Sequence, residues 1–546
     1  MKRRKYTLLF MLLLAAFTIA GCKSNSEQPE KAKSVAAEQA PAVSNAPHSG
    51  GEITIALQKA PDNLDTDFGT QWEATQVMNH VYEGLFETDG NGQPQPYLAE
   101  SCTLSSDSKQ YEIKLRKGVK FSDQHEMKAE DVKASIDRWL RMNQAGHIVK
   151  DKVKSVDIIN DYEIRITLNQ IYAPILSIMA SQVSGQRVYV REKKILDKFG
   201  ENIITDYVGT GPYIIGEYVP GQKAVLVKNV NYTPAKGKLS GLTGQRNPYL
   251  DKITMDFVPE ESVRVAGLQS GQYDFIDEVS TDQYATLSDY PGIKPIICND
   301  GTISVIAINS AKPPFDNKRM RQALACAIDD KELAQAQIGN EKFWSVEDGS
   351  WFKKGNIWYD PNAGKEMYNV HDLARAKKLV QESGYSGETI SIIGDKSNMY
   401  ESNAALVLQN QLKAIGLNVS VDLYDEATAY DYETSGKWNI RIARWSDMTP
   451  DPQNFQPWTG TNGWITGWDD KGSHEMDAIF ERMAVATDQK ARYEIVKEFY
   501  AKFWEEVPYI KSFNDVRLYG INERVKGFQA YGQPFFWNAW VDDSAN

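Results

Sequence analysis

Residues 303–328, ISVIAINSAKPPFDNKRMRQALACAI, join an apolar strand to an amphipathic helix. The first six residues are predicted as a strand because they form a short apolar run. Asp316 or Asn317 can cap the helix, and apolar side chains recur at i, i+3, i+4, i+7 and i+8 from Met320. A strand that leads directly into such a helix predicts an α/β fold.

The same alternation continues downstream. A helix over 373–380 is predicted to stop at Gly384, and a helix over 406–415 precedes a strand over 419–423. We therefore predict a separate α/β domain over about 310–507.

The upstream half has a different pattern. Residues 111–115 and 162–168 alternate apolar and polar side chains, as half-buried strands do, and a helix over 132–140 lies between them. This pattern predicts a mixed block over about 89–185, preceded by a strand over 51–57.

Composition excludes several classes of function. The chain has 546 residues, enough for more than one domain, and its net charge of −12 with no basic stripe beyond residues 2–5 argues against nucleic-acid binding. The six histidines show no metal-ligand spacing, and the chain contains no Gly-x-Ser-x-Gly motif. We predict no metal, no cofactor and no serine nucleophile.

The N-terminus predicts export. A basic segment over 2–5 precedes an apolar stretch, and small residues precede Cys22. Residues 1–21 are predicted to be a lipoprotein signal peptide, with the lipid on Cys22, and 22–50 a flexible tether. The body would then be held at a membrane surface in the cell envelope, exposed to the periplasm or the extracellular side.

The other cysteines, Cys102, Cys298 and Cys326, are odd in number. One disulfide with one buried thiol is compatible with an oxidising compartment, and the sequence leaves the pairing open.

The segment 440–455, IRIARWSDMTPDPQNF, holds the candidate site. Asp447 and Asp451 suit either the carboxylate pair of a glycoside hydrolase or a site that only holds a charged ligand. Arg441 and Arg444 suit either solvated strand charges or partners of a ligand carboxylate. Three further aromatic residues in a glycine-containing stretch suit either a ligand cavity or the core: Trp458, Trp464 and Trp468.

Four ordered segments together carry a resemblance to a known family: LRKGVKFSDQHEMKAEDVKASIDRW (115–139), VGTGPYIIGEYVPG (208–221), NSAKPPFDNKRMRQALACAID (309–329) and DPQNF (451–455). They resemble the bacterial extracellular solute-binding proteins of family 5, the oligopeptide- and dipeptide-binding components of ABC importers. The resemblance runs from about residue 51 to the end of the chain.

The resemblance implies a periplasmic-binding-protein-like α/β fold, with two lobes joined by a hinge and an additional α+β domain on the first lobe. The implied boundaries are 51–88, 186–309 and 508–546 for lobe 1, 89–185 for the additional domain, and 310–507 for lobe 2.

The resemblance also implies a ligand contact. In peptide-binding relatives an aspartate after a strand-end tryptophan pairs with the peptide α-ammonium, while the strand pairs with the peptide main chain. The tryptophan matches Trp445, but relatives place the aspartate where this chain has Met448, so Asp447 lies one position early. The predicted ligand-binding residues are Arg441, Arg444, Trp445, Ser446, Asp447, Trp464 and Trp468.

These observations predict a monomeric, lipid-anchored, non-enzymatic receptor that captures a short peptide and delivers it to ABC permease subunits. Three alternatives stay open: an oligosaccharide or opine-like ligand on the same fold, a lipid-anchored glycoside hydrolase that uses an aspartate pair, and a surface chaperone or signalling receptor.

Overall fold

A computed structural model describes residues 46–68, 71–183, 185–396, 399–446, 451–459 and 470–542. Strands and helices alternate through these ranges. The strands are β1 (Glu52–Leu57), β2 (Phe86–Thr88), β3 (Pro94–Pro96), β4 (Ala99–Leu104), β5 (Gln110–Leu115), β6 (Val153–Asn160), β7 (Glu163–Leu168), β8 (Tyr213–Val219), β9 (Lys223–Lys228), β10 (Lys252–Phe257), β11 (Phe275–Val279), β12 (Ile293–Ile308), β13 (Trp344–Ser345), β14 (Ile390–Asp395), β15 (Val419–Tyr424), β16 (Ile440–Ser446), β17 (Tyr509–Asn522), β18 (Val525–Lys526), β19 (Gln529–Tyr531), β20 (Gln533–Phe535) and β21 (Trp540–Val541).

The helices are α1 (Trp72–Met78), α2 (Ala129–Met142), α3 (Gln144–Val149), α4 (Ile175–Met179), α5 (Lys193–Phe199), α6 (Glu261–Gln269), α7 (Tyr284–Ser288), α8 (Lys318–Ala327), α9 (Asp330–Gln337), α10 (Leu373–Ser383), α11 (Met399–Ala414), α12 (Glu426–Thr434), α13 (Gln456–Thr459), α14 (Asp470–Val485) and α15 (Gln489–Glu506). Short 3-10 turns lie at Lys150–Lys152, Thr281–Gln283, Glu341–Phe343 and Pro452–Phe455. Within the described ranges, no helix combines the length and the apolar character that crossing a bilayer requires.

An eleven-stranded mixed sheet dominates the fold. Its centre is the antiparallel pair β12 and β17, with β16, β14 and β15 on one side and β11, β1, β10, β9 and β8 on the other; the eleventh strand, β13, pairs with β17 off this path. We call these sides the second half and the first half of the sheet. The β12–β17 register shifts between Cys298 and Thr302 and again between Ile303 and Val305, which bends the pair where the halves meet.

The second half contains a parallel β–α–β unit. β14 leads into α11, which returns the chain to β15, and β14 is parallel to both β15 and β16. Leu408 and Leu412 of α11 belong to one buried cluster with Ile392 and Ile440 of the sheet. The carboxyl ends of β14, β15 and β16 therefore lie at the same edge of the sheet.

The first half is completed from the far end of the chain. β1 is parallel to β10 and β11, and β17 pairs antiparallel with β11. Ile53 and Ile253 share a buried cluster with Tyr519 and Ile521 of β17. β17 thus belongs to both halves of the sheet.

A smaller antiparallel sheet, β4-β5-β7-β6, stands apart. Ile113 and Ile164 pack against Val132, Ile136 and Trp139 of α2. The strands and the helix predicted inside 89–185 are confirmed, while the domain boundaries stay predictions.

Local signals for helix ends are largely confirmed. Of the two candidate caps, Asn317 is the one whose side chain accepts a hydrogen bond, from the Arg319 main-chain N–H. Gly384 adopts the left-handed conformation that ends α10, with φ of 79°. α8 ends at Ala327, one residue before the predicted last apolar position, Ile328.

The disulfide that the sequence left open does not form among Cys102, Cys298 and Cys326. The three residues lie in or against three different hydrophobic clusters, so their side chains belong to separate cores.

The pattern Gly209-Thr210-Gly211 forms a tight structural turn. A Cβ at Gly209 would lie 2.1 Å from the Val81 main-chain oxygen, and one at Gly211 would lie 2.6 Å from the His80 oxygen. Both glycines are required because the main chain of 80–82 occupies the space that a side chain would need.

Candidate binding site on strand β16

The two faces of β16 differ. Ile440 and Ile442 are buried in the core, whereas Arg441, Ala443 and Trp445 point to the other face because strand side chains alternate. These three residues, together with Arg444, line a cavity of about 280 Å³. The cavity is lined by Ala307, Glu401, Glu433, Arg441, Ala443, Arg444 and Trp445.

The cavity lies beside the carboxyl edge of the parallel strands. Glu401 comes from the first turn of α11, directly after β14, and ligands of open α/β sheets bind at such edges. The neighbouring Tyr400 is within electrostatic reach of Glu261 and Asp282 from the first half and of Arg444 and Asp515. Burial raises the pKa of Tyr400. The region around the cavity is therefore where the two halves face each other.

Both predicted arginines are paired with protein carboxylates. Arg441 contacts Glu433 of α12, and Arg444 Nη2 lies 2.6 Å from Asp515 Oδ2 on β17. Their side chains are 27% and 31% exposed, so each guanidinium is ion-paired and still partly accessible to solvent. A ligand carboxylate would have to join one of these ion pairs.

The carboxylates of this site were missed by sequence reasoning. Asp515 is fully buried, and burial raises its pKa although Arg444 opposes the shift. Burial also raises the pKa of Glu401, with Arg441 as the largest opposing influence. No local signal marks Glu401, Glu433 or Asp515, because the fold brings them to β16 from separate segments.

Trp445 lies between the cavity and an aromatic core. Its ring is stacked near Trp351, with centroids 6.5 Å apart, and meets Tyr509 edge-on at 5.0 Å. Trp351 in turn contacts Phe455 and Phe503. One side of the Trp445 ring is thereby held by packing, and the residue also lines the cavity.

Asp451 is a structural residue. Arg492 donates to both of its carboxylate oxygens, at 2.5 and 2.6 Å, and the Gln453 main-chain N–H donates to Oδ1 at 2.9 Å. Both side chains are buried. The turn-shaping role is the one that the geometry supports, and the carboxylate is not accessible as an acid or a base.

Several predicted site residues are not among the residues that the structure describes. Asp447, Trp464 and Trp468 lie outside the described residues, as do Cys22 and the signal peptide. For Ser446 only the main chain is described, opposite Thr302 in the ladder between β16 and β12. Across the described ranges, no group of three or more His, Cys, Asp or Glu side chains is arranged to hold a metal ion.

Comparison with known proteins decides the family. The sequence profile described as bacterial extracellular solute-binding proteins, family 5 Middle, matches residues 93–467, which is more than half of the chain. The chain belongs to this family. The family prediction made from the four sequence segments is confirmed.

Individual relatives of this family 5 chain cover nearly all of it. Heme-binding protein A of Haemophilus influenzae is 27% identical, with 97% of this chain and 98% of the relative covered. Oligopeptide-binding protein AppA of Bacillus subtilis is 24% identical, with 98% of each chain covered. The two names differ in ligand, so family membership alone does not give the solute.

A solved structure supports the fold of the family 5 chain. The ABC transporter substrate-binding protein CtaP from Listeria monocytogenes superposes with a TM-score of 0.79 at 21% identity, covering 91% of this chain and 100% of the other. The α/β fold of the periplasmic-binding-protein type is thus confirmed. The protein is a solute-binding protein of the ABC importer class.

Proposed function

We propose that this solute-binding protein captures a short peptide between two lobes and delivers it to ABC permease subunits, without making or breaking a bond. The observation that carries the proposal is the β16 strand, which ends at the sheet edge facing the first half and has Trp445 beside a cavity. The described ladder between β14 and β16 covers Ile440 and Arg441, and the later residues of β16 are proposed to pair with a peptide main chain, which gives affinity for many sequences.

The lobes of the proposal are 51–88, 186–309 and 508–546 for lobe 1 and 310–507 for lobe 2, with the additional domain over 89–185. The long central strands β12 and β17 would serve as the hinge, since they alone among the long strands belong to both halves of the sheet. A ligand held by both lobes stabilises the closed form in proportion to its differential affinity for that form.

Asp447 is the proposed partner of the peptide α-ammonium, and Ser446, Trp464 and Trp468 are proposed to line the ligand. The hydrolase alternative is weakened, because Asp451 is buried against Arg492 and is not accessible as one of the two catalytic carboxylates.

One experiment separates the candidate functions. A variant lacking residues 1–45 is screened by thermal shift and calorimetry against peptides, opine-like conjugates and oligosaccharides, with analysis of the recovered ligand. A stabilising peptide recovered intact supports the proposal. Turnover of any ligand, or stabilisation by saccharides alone, would refute it.

The ammonium contact has its own test. Asp447→Asn is expected to weaken binding of free-amine peptides by about 10-fold and to leave N-acetylated peptides unchanged, since only the former carry the charge. The matched control is Asp289→Asn, an exposed position in the first half. Equal loss for both kinds of peptide would reject the role.

Anchoring is proposed through a lipid on Cys22, with a monomeric body exposed outside the membrane. Replacement Cys22→Ser is expected to abolish incorporation of labelled fatty acid and to release the protein from the membrane fraction. Unchanged labelling would refute the assignment, and light scattering of the soluble variant tests the monomer.

A further inference from the structure

We propose that the additional domain acts as a latch: its segment at Ala173 binds the end of α14 in the second half and stabilises the closed form of the protein. The latch is the contact between Ala173 and Ala484. The inference rests on the proposed movement of two lobes and goes beyond it by giving the additional domain a role in closure.

The contact joins two parts of the fold that are proposed to belong to different lobes. The main-chain N–H of Ala173 donates to the main-chain oxygen of Ala484 at 2.7 Å. Ala484 also packs against the hydrophobic cluster that contains Ile113 and Ile164 of the small sheet. The end of α14 therefore touches both the main chain and the apolar core of the additional domain.

The end of α14 offers acceptors for such a contact. The last carbonyl groups of a helix have no partner within the helix. Arg492 Nε donates to the Met483 oxygen at 3.0 Å, and Ala173 donates to the next one, that of Ala484. When the lobes separate, water can replace Ala173 at this carbonyl. The bond therefore contributes a small net free energy and breaks reversibly.

The additional domain is fixed to the first half. Arg138 of α2 is buried, and its guanidinium lies 2.7 Å from Asp65 Oδ2 and 3.2 Å from Asp67 Oδ2. Both aspartates follow β1 in the first half. Separating the partners of a buried ion pair is costly, so these contacts persist while the lobes move. The contact at Ala484 is made by a neutral hydrogen bond and one alanine side chain, so it is the weaker of the two and the one that opens.

The latch also lies close to the anchor of the candidate site segment. Arg492 holds Asp451, near the far end of segment 440–455, and the same guanidinium binds the end of α14. Tyr172, which directly precedes the latch, is buried and lies within electrostatic reach of both Asp451 and Arg492. The surface that the additional domain contacts is thus fixed to the segment that is proposed to hold the ligand.

A second contact links the additional domain to the second half. Gly92 lies in the turn between β2 and β3, with φ of 79°. A Cβ at Gly92 would lie 2.6 Å from Asn356 Nδ2, so the Asn356 side chain lies directly against this turn. Asn356 belongs to the segment between β13 and α10 of the second half. Two separate surfaces of the additional domain therefore touch the second half.

Closure and affinity are linked through the population of the closed form. A ligand that binds only the closed form has an apparent dissociation constant equal to its intrinsic one divided by the fraction of closed molecules. The latch raises that fraction without touching the ligand. It therefore increases the affinity for every ligand of the site by the same factor.

The first test uses the ligand-free protein lacking residues 1–45, with both Ala173→Cys and Ala484→Cys. The hydrogen bond between their main chains brings these two residues within the range of a disulfide. Small-angle X-ray scattering is expected to give a smaller radius of gyration for the oxidised than for the reduced protein, because the cross-link holds the lobes together. The two single-cysteine variants are the controls and should show no change. Absence of the cross-link after oxidation, or equal radii in the two states, would overturn the proposal.

The second test compares Ala484→Gln with the matched control Val485→Gln, at an exposed position of the same helix. The larger polar side chain at position 484 disrupts the contact, so the ratio of closed to open molecules is expected to fall by about fivefold. Val485→Gln should keep the wild-type ratio. Scattering measures this ratio, with the oxidised cysteine pair as the closed reference, and hydrogen exchange at the Ala173 amide should be faster in Ala484→Gln alone. Equal ratios in the two variants would overturn the latch.

Both tests use protein without ligand, so they decide the latch independently of peptide capture. Failure of all peptides to bind, with the scattering changes present, would refute the proposed function and support the latch. Peptide binding without the scattering changes would support the proposed function and overturn the latch. Circular dichroism checks that the two glutamine variants are folded, and the cysteine pair decides the question if Ala484→Gln is not.

Discussion

Arg492 donates to both carboxylate oxygens of Asp451, and its Nε donates to the main-chain oxygen of Met483 at 3.0 Å. One buried guanidinium therefore ties the turn that begins at Asp451 to the end of α14. The candidate site segment 440–455 is anchored at its far end by this contact.

Loss of this anchor should be costly. Arg492→Ala is expected to lower the free energy of unfolding by about 3–5 kcal/mol, because it leaves a buried carboxylate without its partner. Chemical denaturation monitored by circular dichroism measures the change. The control is Arg482→Ala, whose pair with Glu498 is about half exposed and should contribute about 0–1 kcal/mol. Similar losses in the two variants would contradict the prediction.

Substitutions of the two stacked tryptophans, Trp351 and Trp445, should separate an effect on stability from an effect on ligand binding. Trp351 is 2% exposed, so Trp351→Ala is expected to cost about 3–5 kcal/mol of unfolding free energy. Trp445→Ala should lower the free energy of unfolding by less, because part of the ring faces the cavity. The same variant should bind a peptide ligand about 10-fold more weakly. Denaturant unfolding and calorimetry on both variants test this, and unchanged affinity in Trp445→Ala would argue against its ligand role.

The buried carboxyl of Asp330 should make stability depend on pH. Burial raises its pKa from 3.8 to about 7, while the hydrogen bond from Ser512 and the charge of Lys511 oppose the shift. The folded state holds this proton more tightly than the unfolded chain. The stability from this group is therefore complete below about pH 4 and is lost as the pH rises through about 7.

Asp330→Asn removes this titration. The stability of the variant relative to the wild type should rise between pH 4 and 7, by an amount on the order of a few kcal/mol, and then level off. Urea unfolding across that range measures the difference. Exposed Asp316→Asn serves as the control, and a flat difference for Asp330→Asn would contradict the assignment.

The turn at Gly209 should not tolerate a side chain. A Cβ there would overlap the main chain at Val81, so Gly209→Ala is expected to cost at least about 2 kcal/mol. Gly216→Ala is the milder comparison, since the nearest atom is a Val227 methyl carbon at 3.1 Å. Thermal unfolding measures the loss of stability in the two variants. Equal losses would show that the contact with the main chain does not prevent a side chain at position 209.

Local patterns predicted the elements well. The alternation at 111–115 and the apolar face of α2 are visible within one segment, and Asn317 and Gly384 carry their signals in their own side chains or lack of one. Ion pairs between residues that are far apart in the sequence have no comparable local pattern. The partners Arg444–Asp515 and Asp451–Arg492 exist only because separate elements pack together.

The same limit applied to the sheet. The sequence indicated a strand over 303–308, but β12 begins at Ile293 and its early part pairs with β17 more than two hundred residues later. The sequence therefore predicted the candidate site as one segment. The carboxylates that face this segment could be identified only from the fold.

The position of β17 constrains when the protein can acquire its structure. β17 follows every other strand of the large sheet in the sequence, yet it lies at the centre, between β12 and β11. During synthesis the sheet cannot close until residues 509–522 have emerged, so a growing chain lacks its middle strand until late. The two halves of the sheet are therefore joined only after almost the whole chain has been made.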